Sequence, residues 1–303
     1  MTSNSLFSDI LQEISQNFVA LPDKPEETPE STLKALWMTA AGQPVSAEQA
    51  RTSTLPAIDE NIEKELQRLI TLFQQGTPLA HISERQNFCG LELLVTPEAL
   101  IPRKETEILA RATLQILSDY ITRSPLIIDV CTGCGNLALL YAKHFPDARV
   151  IGADLSASAI QLAKRNYIFT GVESSVEFRQ GDFLEPFLND DFEGKVDILS
   201  CNPPYISSKK VPEMAEEISN HEPAMAFDGG VFGISILQKL IKQTPRLVKP
   251  GGYLIFELGL GQGPAMLKKI ERDSNYSHVE GKTDEQGNIR AIVATIAKAG
   301  DSQ

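Results

Sequence analysis

From Asp59 the chain shows its first clean periodicity. Ile62, Leu66, Leu69, Ile70 and Phe73 recur at helical spacing until Gly76-Thr77-Pro78 interrupts the run, which predicts an amphipathic helix with one buried face. Ahead of it, residues 20–60 carry Pro22, Pro25, Pro29, Pro44 and Pro56 among Glu26, Glu27 and Glu30, and only short stretches such as 32–40 have helical character. Such punctuation predicts a flexible connection or a small, loosely helical N-terminal domain. Phe88-Cys89-Gly90-Leu91, followed by Leu93, Leu94, Val95 and Pro97, reads as a short hairpin turning on Gly90. A second stripe of Ile108, Leu109, Ala112, Ile116 and Leu117 predicts a helix from about residue 105.

Beyond residue 120 the pattern changes to alternating strand and helix. Residues 126–130, 150–153, 176–179, 196–200 and 253–256 are short runs rich in β-branched or aromatic side chains, and most are separated by helical stretches at 137–144, 158–169 and 234–247. That alternation predicts a doubly wound α/β sheet with five parallel strands. After a helical stretch at 262–272, strands at 277–280 and 291–296 are joined by Asp284-Glu285-Gln286-Gly287-Asn288, too short for a crossover helix, so they should form an antiparallel hairpin at the sheet edge. The expected division is a mainly helical domain over 1–85, a hairpin linker over 86–100 and an α/β domain over 101–303.

Composition narrows the class of protein. The chain has 303 residues and a formal net charge of −12, a sign that disfavours phosphate backbones as partners. The acidity is uneven: the first hundred residues hold 6 basic and 14 acidic side chains. Four scattered cysteines make no disulfide framework, no leader pattern marks residues 1–20, and no apolar run has the length of a membrane span. A cytoplasmic protein without membrane or direct nucleic-acid contacts is the expectation. Cys131 and Cys134 have redox or half-zinc spacing, but Cys89 and Cys201 are isolated and the four histidines dispersed, so small-residue packing is the preferred reading and no metal is expected.

The candidate chemistry lies at successive strand ends. Asp129-Val130-Cys131-Thr132-Gly133-Cys134-Gly135 follows the first strand of the sheet. Glycines there let a ligand approach the backbone, but the third glycine of a dinucleotide fingerprint is missing, and Asp129 suits a cationic ligand better than a pyrophosphate. Asp154 ends the next strand, where ribose hydroxyls are gripped in such folds. Asp182-Phe183 follows the third and can meet an exocyclic amine and an adenine ring. Together these describe a nucleoside site. The fourth strand ends in Asn202-Pro203-Pro204-Tyr205. Two prolines make the turn rigid, the Pro203 carbonyl and the Asn202 side-chain carbonyl can accept both hydrogens of a planar NH2 group, and Tyr205 offers a face to stack it.

Asp129-x-Cys-x-Gly-x-Gly135, Asp154, Asp182-Phe183 and Asn202–Tyr205 resemble the S-adenosylmethionine-dependent methyltransferases with an Asn-Pro-Pro-Tyr motif. The stretch from Gly76-Thr-Pro-Leu-Ala-His-Ile, through Phe88-Cys-Gly-Leu-Glu-Leu, to Ile101-Pro-Arg103-Lys-Glu-Thr-Glu107 narrows the resemblance to the HemK-like protein N5-glutamine methyltransferases. His221-Glu222-Pro223, Phe227-Asp-Gly-Gly230 and Pro250-Gly-Gly-Tyr-Leu-Ile-Phe-Glu257-Leu-Gly259 strengthen it. The resemblance implies a Rossmann-like seven-stranded sheet, S-adenosylmethionine as cofactor, and transfer of its methyl group to a glutamine amide nitrogen. The substrate implied first is the Gly-Gly-Gln motif of peptide chain release factors, and ribosomal protein L3 next. Amino-group methylation of a nucleic-acid base is the alternative of a different class. On this resemblance Asp129, Cys131, Gly133 and Gly135 line the methionine moiety, Asp154 holds the ribose, and Asp182 and Phe183 the adenine. Asn202, Pro203, Pro204 and Tyr205 bind the substrate amide, with Asn202, Pro203 and Tyr205 carrying catalysis and Asn202 also facing the cofactor. Arg103, Thr106 and Glu107 lie near the cofactor without an assigned role. Cys131 stands where many such enzymes have glycine, and the proline-rich start matches the family's recognition domain poorly. An acidic N-terminal region would steer basic translation proteins.

Overall fold

The structure is a computed structural model and describes residues 3–21, 23–119, 124–188, 191–205, 223 and 234–298. The segments His221-Glu222 and Phe227–Gly230 lie outside the described residues. The chain divides into two compact units, one holding Met1–Pro97 with Ile101–Lys104 and the other Glu98–Leu100 with the described chain from Glu105 onward. Among the described residues no helix is long and apolar enough to cross a membrane.

The first unit contains helices α1 (Ser3–Asn17), α2 (Pro29–Ala40), α3 (Ala47–Ala50), α4 (Glu60–Gln74) and α5 (Leu79–Ser83), followed by β1 (Arg85–Phe88) and β2 (Leu91–Leu94). It is more ordered than its prolines predict. Pro29 occupies the first turn of α2, where a missing N–H costs nothing. Thr28 and Ser31 close a capping box in front of it, the Thr28 N–H donating to Ser31 Oγ at 2.8 Å. Leu33, Leu36 and Trp37 of α2 then pack with Leu66, Leu69 and Ile70 of α4 in one buried cluster, joined by Ile10 and Ile14 of α1. Trp37 Nε1 donates to the Pro56 carbonyl at 3.1 Å, so the loop itself supplies a partner to the core. Leu6, Phe7, Ile10, Leu11 and Ile14 share the helical spacing that builds α1, a helix the proline-dominated reading of this region does not include. The hairpin turns at Cys89-Gly90, with Phe88 opposite Leu91.

The second unit contains α6 (Thr106–Asp119), β3 (Leu126–Val130), α7 (Asn136–His144), β4 (Arg149–Asp154), α8 (Ala157–Thr170), β5 (Val176–Gln180), β6 (Val196–Cys201), α9 (Ser235–Leu247), β7 (Val248–Glu257), α10 (Gly263–Glu271), β8 (Tyr276–Thr283) and β9 (Ile289–Ile296). Its sheet has seven strands in the order β5-β4-β3-β6-β7-β9-β8. The first five in that order are parallel neighbours and β9 pairs antiparallel with both β7 and β8. The expected Rossmann-like α/β sheet with an antiparallel edge hairpin is therefore the observed one. All six residues of β6 are buried, as a central strand covered on both faces requires. The chain winds from β3 outward to β5, then returns to place β6 on the other side of β3. This reversal opens the crevice beyond the strand C-termini where ligands of such sheets bind. Register puts Asp129 beside Gly152 on one flank and Ser200 on the other, and Cys201 beside Phe256.

Candidate active site

The turn after β3 is held by its neighbours rather than by its own sequence. Thr132 N–H donates to the Ala153 carbonyl at 3.0 Å, and Gly133 N–H donates to Asp154 Oδ2 at 2.9 Å, while Asp154 Oδ1 accepts from Ser156 N–H at 2.9 Å. One carboxylate thus ties the turn to the end of β4. Burial raises the Asp154 carboxyl above its ordinary range, and backbone N–H donors oppose the rise. Gly133 has φ +53°, and the space a Cβ would occupy is open, so a ligand can reach this backbone. Cys131 takes a similar left-handed φ of 58° without being glycine. That conformation is the physical reason a glycine is the usual occupant of such a position.

Asp129 is placed differently from a ligand-facing carboxylate. It is fully buried, and its Oδ1 accepts from the Ser200 hydroxyl at 2.6 Å and its Oδ2 from the Thr132 hydroxyl at 2.6 Å. Desolvation pushes its pKa up to about 7 against those two hydrogen bonds. It braces the turn and the penultimate residue of β6 at once. The Cys131-x-x-Cys134 spacing does not form a facing pair: the Cys131 thiol meets that of Cys201 instead, and Cys134 is buried, its pKa pushed up to about 12 by desolvation. All four cysteines are free thiols.

Asp182 stays half-exposed, 3.6 Å from Lys239 Nζ of α9. Phe183, at φ 56°, packs into the core of the sheet unit and leaves 8% of its surface exposed, with the same ammonium 5.4 Å above its ring. Asp154, Gly133 and Gly135 meet at the C-terminal end of the sheet, and Asn202–Tyr205 follow directly from β6 on the adjacent side.

The Asn202–Tyr205 turn is anchored at both ends. Asn202 Nδ2 donates to Thr106 Oγ1 at 3.0 Å. Pro203 is buried, and Pro204 and Tyr205 are half-buried. The Tyr205 carbonyl accepts from Gln262 Nε2 at 3.0 Å, and its hydroxyl donates to Glu257 Oε1 at 3.0 Å. Burial, together with the charges of Glu257 and Glu105, holds the Tyr205 phenol well above its ordinary pKa. Glu257 is itself buried, with a pKa pushed up to about 7 mainly by desolvation. Ser200, Thr132 and Glu257 carry no role in the reading of the sequence. One signal was available: Glu257 is a lone acidic residue closing the apolar run Tyr253–Phe256, at the end of a central strand. Of the residues grouped at Ile101–Glu107, Arg103 belongs to the first unit, where it pairs with Asp23 at 3.5 Å, and Glu107 pairs with Arg111 along α6.

A seven-stranded sheet of this order, with a bound turn after its first strand and an Asn-Pro-Pro-Tyr turn after its fourth, defines a methyltransferase domain. The family model described as "Methyltransferase domain" matches residues 123–296, more than half of the chain. The release factor glutamine methyltransferase of Clostridium acetobutylicum is 31% identical over 237 residues, covering 78% of this chain and 81% of its own. That of Bacillus subtilis is 32% identical over 254 residues, covering 82% and 87%. The chain belongs to the release factor glutamine methyltransferase family. Among solved structures, the hMettl16 catalytic domain in complex with an RNA hairpin aligns with a TM-score of 0.53 at 16% identity, over 82% of this chain and 85% of that one. The N-terminal domain of human METTL16 in complex with SAH aligns at 0.50 and 17% identity, over 69% and 77%. At such identities the likeness is one of fold.

Proposed function

We propose that the protein transfers a methyl group from S-adenosylmethionine to the side-chain amide nitrogen of a glutamine in a peptide chain release factor. The observation that carries this reading is the placement of Asn202–Tyr205 at the end of the buried central strand, beside the open turn at Gly133. The residues present fit the donor. The open face of Gly133 admits a ligand to the backbone, Asp154 offers carboxylate oxygens to hydroxyl groups, and the Asp182 carboxylate is half-exposed. When bound, the donor supplies an electrophilic methyl carbon on a sulfonium. What this chain adds is alignment. An amide nitrogen is a poor nucleophile because its lone pair is delocalised, so the Asn202 side-chain oxygen and the Pro203 carbonyl accept its two hydrogens and hold it toward the methyl carbon. Tyr205, fixed through its hydroxyl and its carbonyl, packs the glutamine side chain. Asp129 acts through Thr132 and Ser200, keeping the donor turn and the acceptor strand in register.

The N-terminal unit, with its concentration of negative charge, selects the protein substrate by attracting basic surfaces, and the enzyme works in the cytoplasm where release factors act. The test is methylation of a purified release factor with labelled donor, alongside the same factor carrying Gln→Ala in its Gly-Gly-Gln motif. Label is expected in the first and not in the second; equal labelling of both overturns the substrate assignment.

A further inference from the structure

We propose that Gln262 is a positioning residue of the acceptor site: its carboxamide clamps the main chain of Tyr205 to Gly259 and so sets how the Tyr205 ring meets the glutamine side chain. This rests on the role given to Tyr205 above.

The Asn202–Tyr205 turn has few donors of its own. Pro203 and Pro204 carry no N–H, so neither can be tied down by a backbone bond that it donates. Among the described residues the turn is held by side chains from other elements of the sheet unit: Thr106 on Asn202 Nδ2, Glu257 on the Tyr205 hydroxyl and Gln262 on the Tyr205 carbonyl. A bond to the hydroxyl alone leaves a tyrosine free to pivot about it. The bond to the carbonyl removes that freedom, because it fixes the peptide plane beyond Tyr205 and with it the direction in which the side chain leaves the backbone.

Gln262 is placed for that second bond. It stands directly before α10 but makes no side-chain bond that caps the helix. Both ends of its carboxamide are used elsewhere: Oε1 accepts from the Gly259 N–H at 2.9 Å and Nε2 donates to the Tyr205 carbonyl at 3.0 Å. One partner is a donor and the other an acceptor, so a single orientation of the amide satisfies both. Its base is rigid. The Gln262 N–H donates to the Gly259 carbonyl at 3.1 Å, and the Gln262 carbonyl accepts from the Met266 N–H at 3.1 Å inside α10. A Cβ on the neighbouring Gly263 would stand 2.5 Å from Ile289 Cβ, so the start of α10 lies hard against β9. Gly259 completes the grip: a Cβ there would stand 3.0 Å from Tyr205 Cδ2 and 3.3 Å from Gln262 Oε1, so the tyrosine ring lies against bare backbone. Hydroxyl, ring edge and main chain of Tyr205 are thus all set by residues 257–262. The Leu258 N–H donates to the Arg290 carbonyl at 3.0 Å, so the end of β7 and the start of α10 are secured without the carboxamide. Its loss should leave the fold in place and release the turn.

The experiment compares full-length wild type with Gln262→Leu, Gln262→Glu and Gly259→Ala. Gln262→Leu removes both bonds. Gln262→Glu, measured at pH 8, keeps an acceptor for Gly259 but sets a carboxylate oxygen against the Tyr205 carbonyl. Gly259→Ala pushes on the ring and on the clamp together. In each, kcat on a release factor should fall roughly 10- to 100-fold, the scale on which a misplaced reacting group loses rate. The KM for the release factor and the donor affinity by calorimetry should stay within a few-fold, and the Tm of the two Gln262 variants within a few degrees. A wild-type kcat in Gln262→Leu and Gln262→Glu overturns the clamp, as does a loss that falls only on donor affinity or only on Tm. The half-buried position of Gln262 keeps its variants decisive should Gly259→Ala fail to fold. A substrate-free measurement separates the clamp from the methylation reading: the ring signals of 13C-labelled tyrosine, assigned to Tyr205 by comparison with Tyr205→Phe. They should shift or broaden in Gln262→Leu, and ring signals identical to wild type overturn the clamp. Shifted signals in an enzyme whose wild type leaves release factors unlabelled uphold the clamp and refute only the substrate.

Discussion

Two buried carboxyls flank the central strand β6, one on each side, and they are built alike but used differently. Asp129, on β3, accepts the hydroxyls of Thr132 and Ser200, one on each oxygen. Glu257, on β7, accepts the hydroxyl of Tyr205 on Oε1, and its Oε2 is buried without a hydrogen-bond partner among the described residues. Each has its pKa pushed up to about 7, and in each the first cause is desolvation. The difference lies in what their partners do next. Thr132 belongs to the donor turn and Ser200 to the strand itself, so Asp129 locks backbone against backbone. Tyr205 closes the Asn202–Tyr205 turn, so Glu257 holds that turn through a single side-chain hydroxyl.

The strongest way to break this comparison is to truncate both. Asp129→Ala leaves two buried hydroxyls without their acceptor and should cost roughly 2–4 kcal/mol of stability. It should also weaken donor binding by more than about tenfold, since the turn loses its brace. Glu257→Ala should instead lower turnover while donor affinity, read by calorimetry, stays within a few-fold. Equal losses of donor affinity in the two variants would erase the distinction.

Next in size is a pH effect shared by both groups. Each carboxyl binds its proton more tightly folded than unfolded, so the folded state holds more protons between about pH 4 and 7, and stability falls as pH rises through that window before levelling above it. The Tm should be lower at pH 8 than at pH 5.5 by several degrees, at roughly 2–4 °C per kcal/mol for a chain of this size. Asp129→Asn should remove about half of that slope, and a slope unchanged in this variant would show that Asp129 ionises freely in the fold.

A smaller effect probes the donor side alone. A Cβ on Gly152 would stand 2.8 Å from the Phe178 ring and 2.9 Å from Thr132 Oγ1. Gly152→Ala should therefore cost about 1–3 kcal/mol by overpacking and loosen donor binding through Thr132. The smallest effect is expected from Cys131→Gly. Relief of the left-handed conformation and the greater freedom of glycine in the unfolded chain nearly offset each other, leaving a stability change within about 1 kcal/mol by thermal melting.

The two units differed in how much of them could be read from the chain. In the sheet unit the central strands are buried on both faces, so each appears as a short apolar run between glycine and polar punctuation, and parallel pairing followed from the alternation with helices. In the N-terminal unit the prolines left a flexible connection open beside a helical domain, whereas in the fold Pro29 begins α2 and the Pro56 carbonyl serves Trp37. Proline marks a local dihedral, and only the contacts around it decide whether it ends structure or begins it. The placing of the motif residues was legible for a similar reason: Asp154 ends β4 and Asn202 directly follows β6, and a strand end in this fold is a position at the crevice.

By itself the sequence determined the α/β architecture, the acidic residues at successive strand ends and the rigid Asn-Pro-Pro-Tyr turn, because each rests on periodicity or on a dihedral fixed within a few residues. Only the tertiary structure decided which groups those residues answer to. Asn202 meets Thr106 across 96 residues of chain and Tyr205 meets Glu257 across 52. Asp129, which reads as a ligand contact, is enclosed between two hydroxyls. Hydrogen-bond direction and burial depend on neighbours brought together by packing, and no spacing along the chain records them.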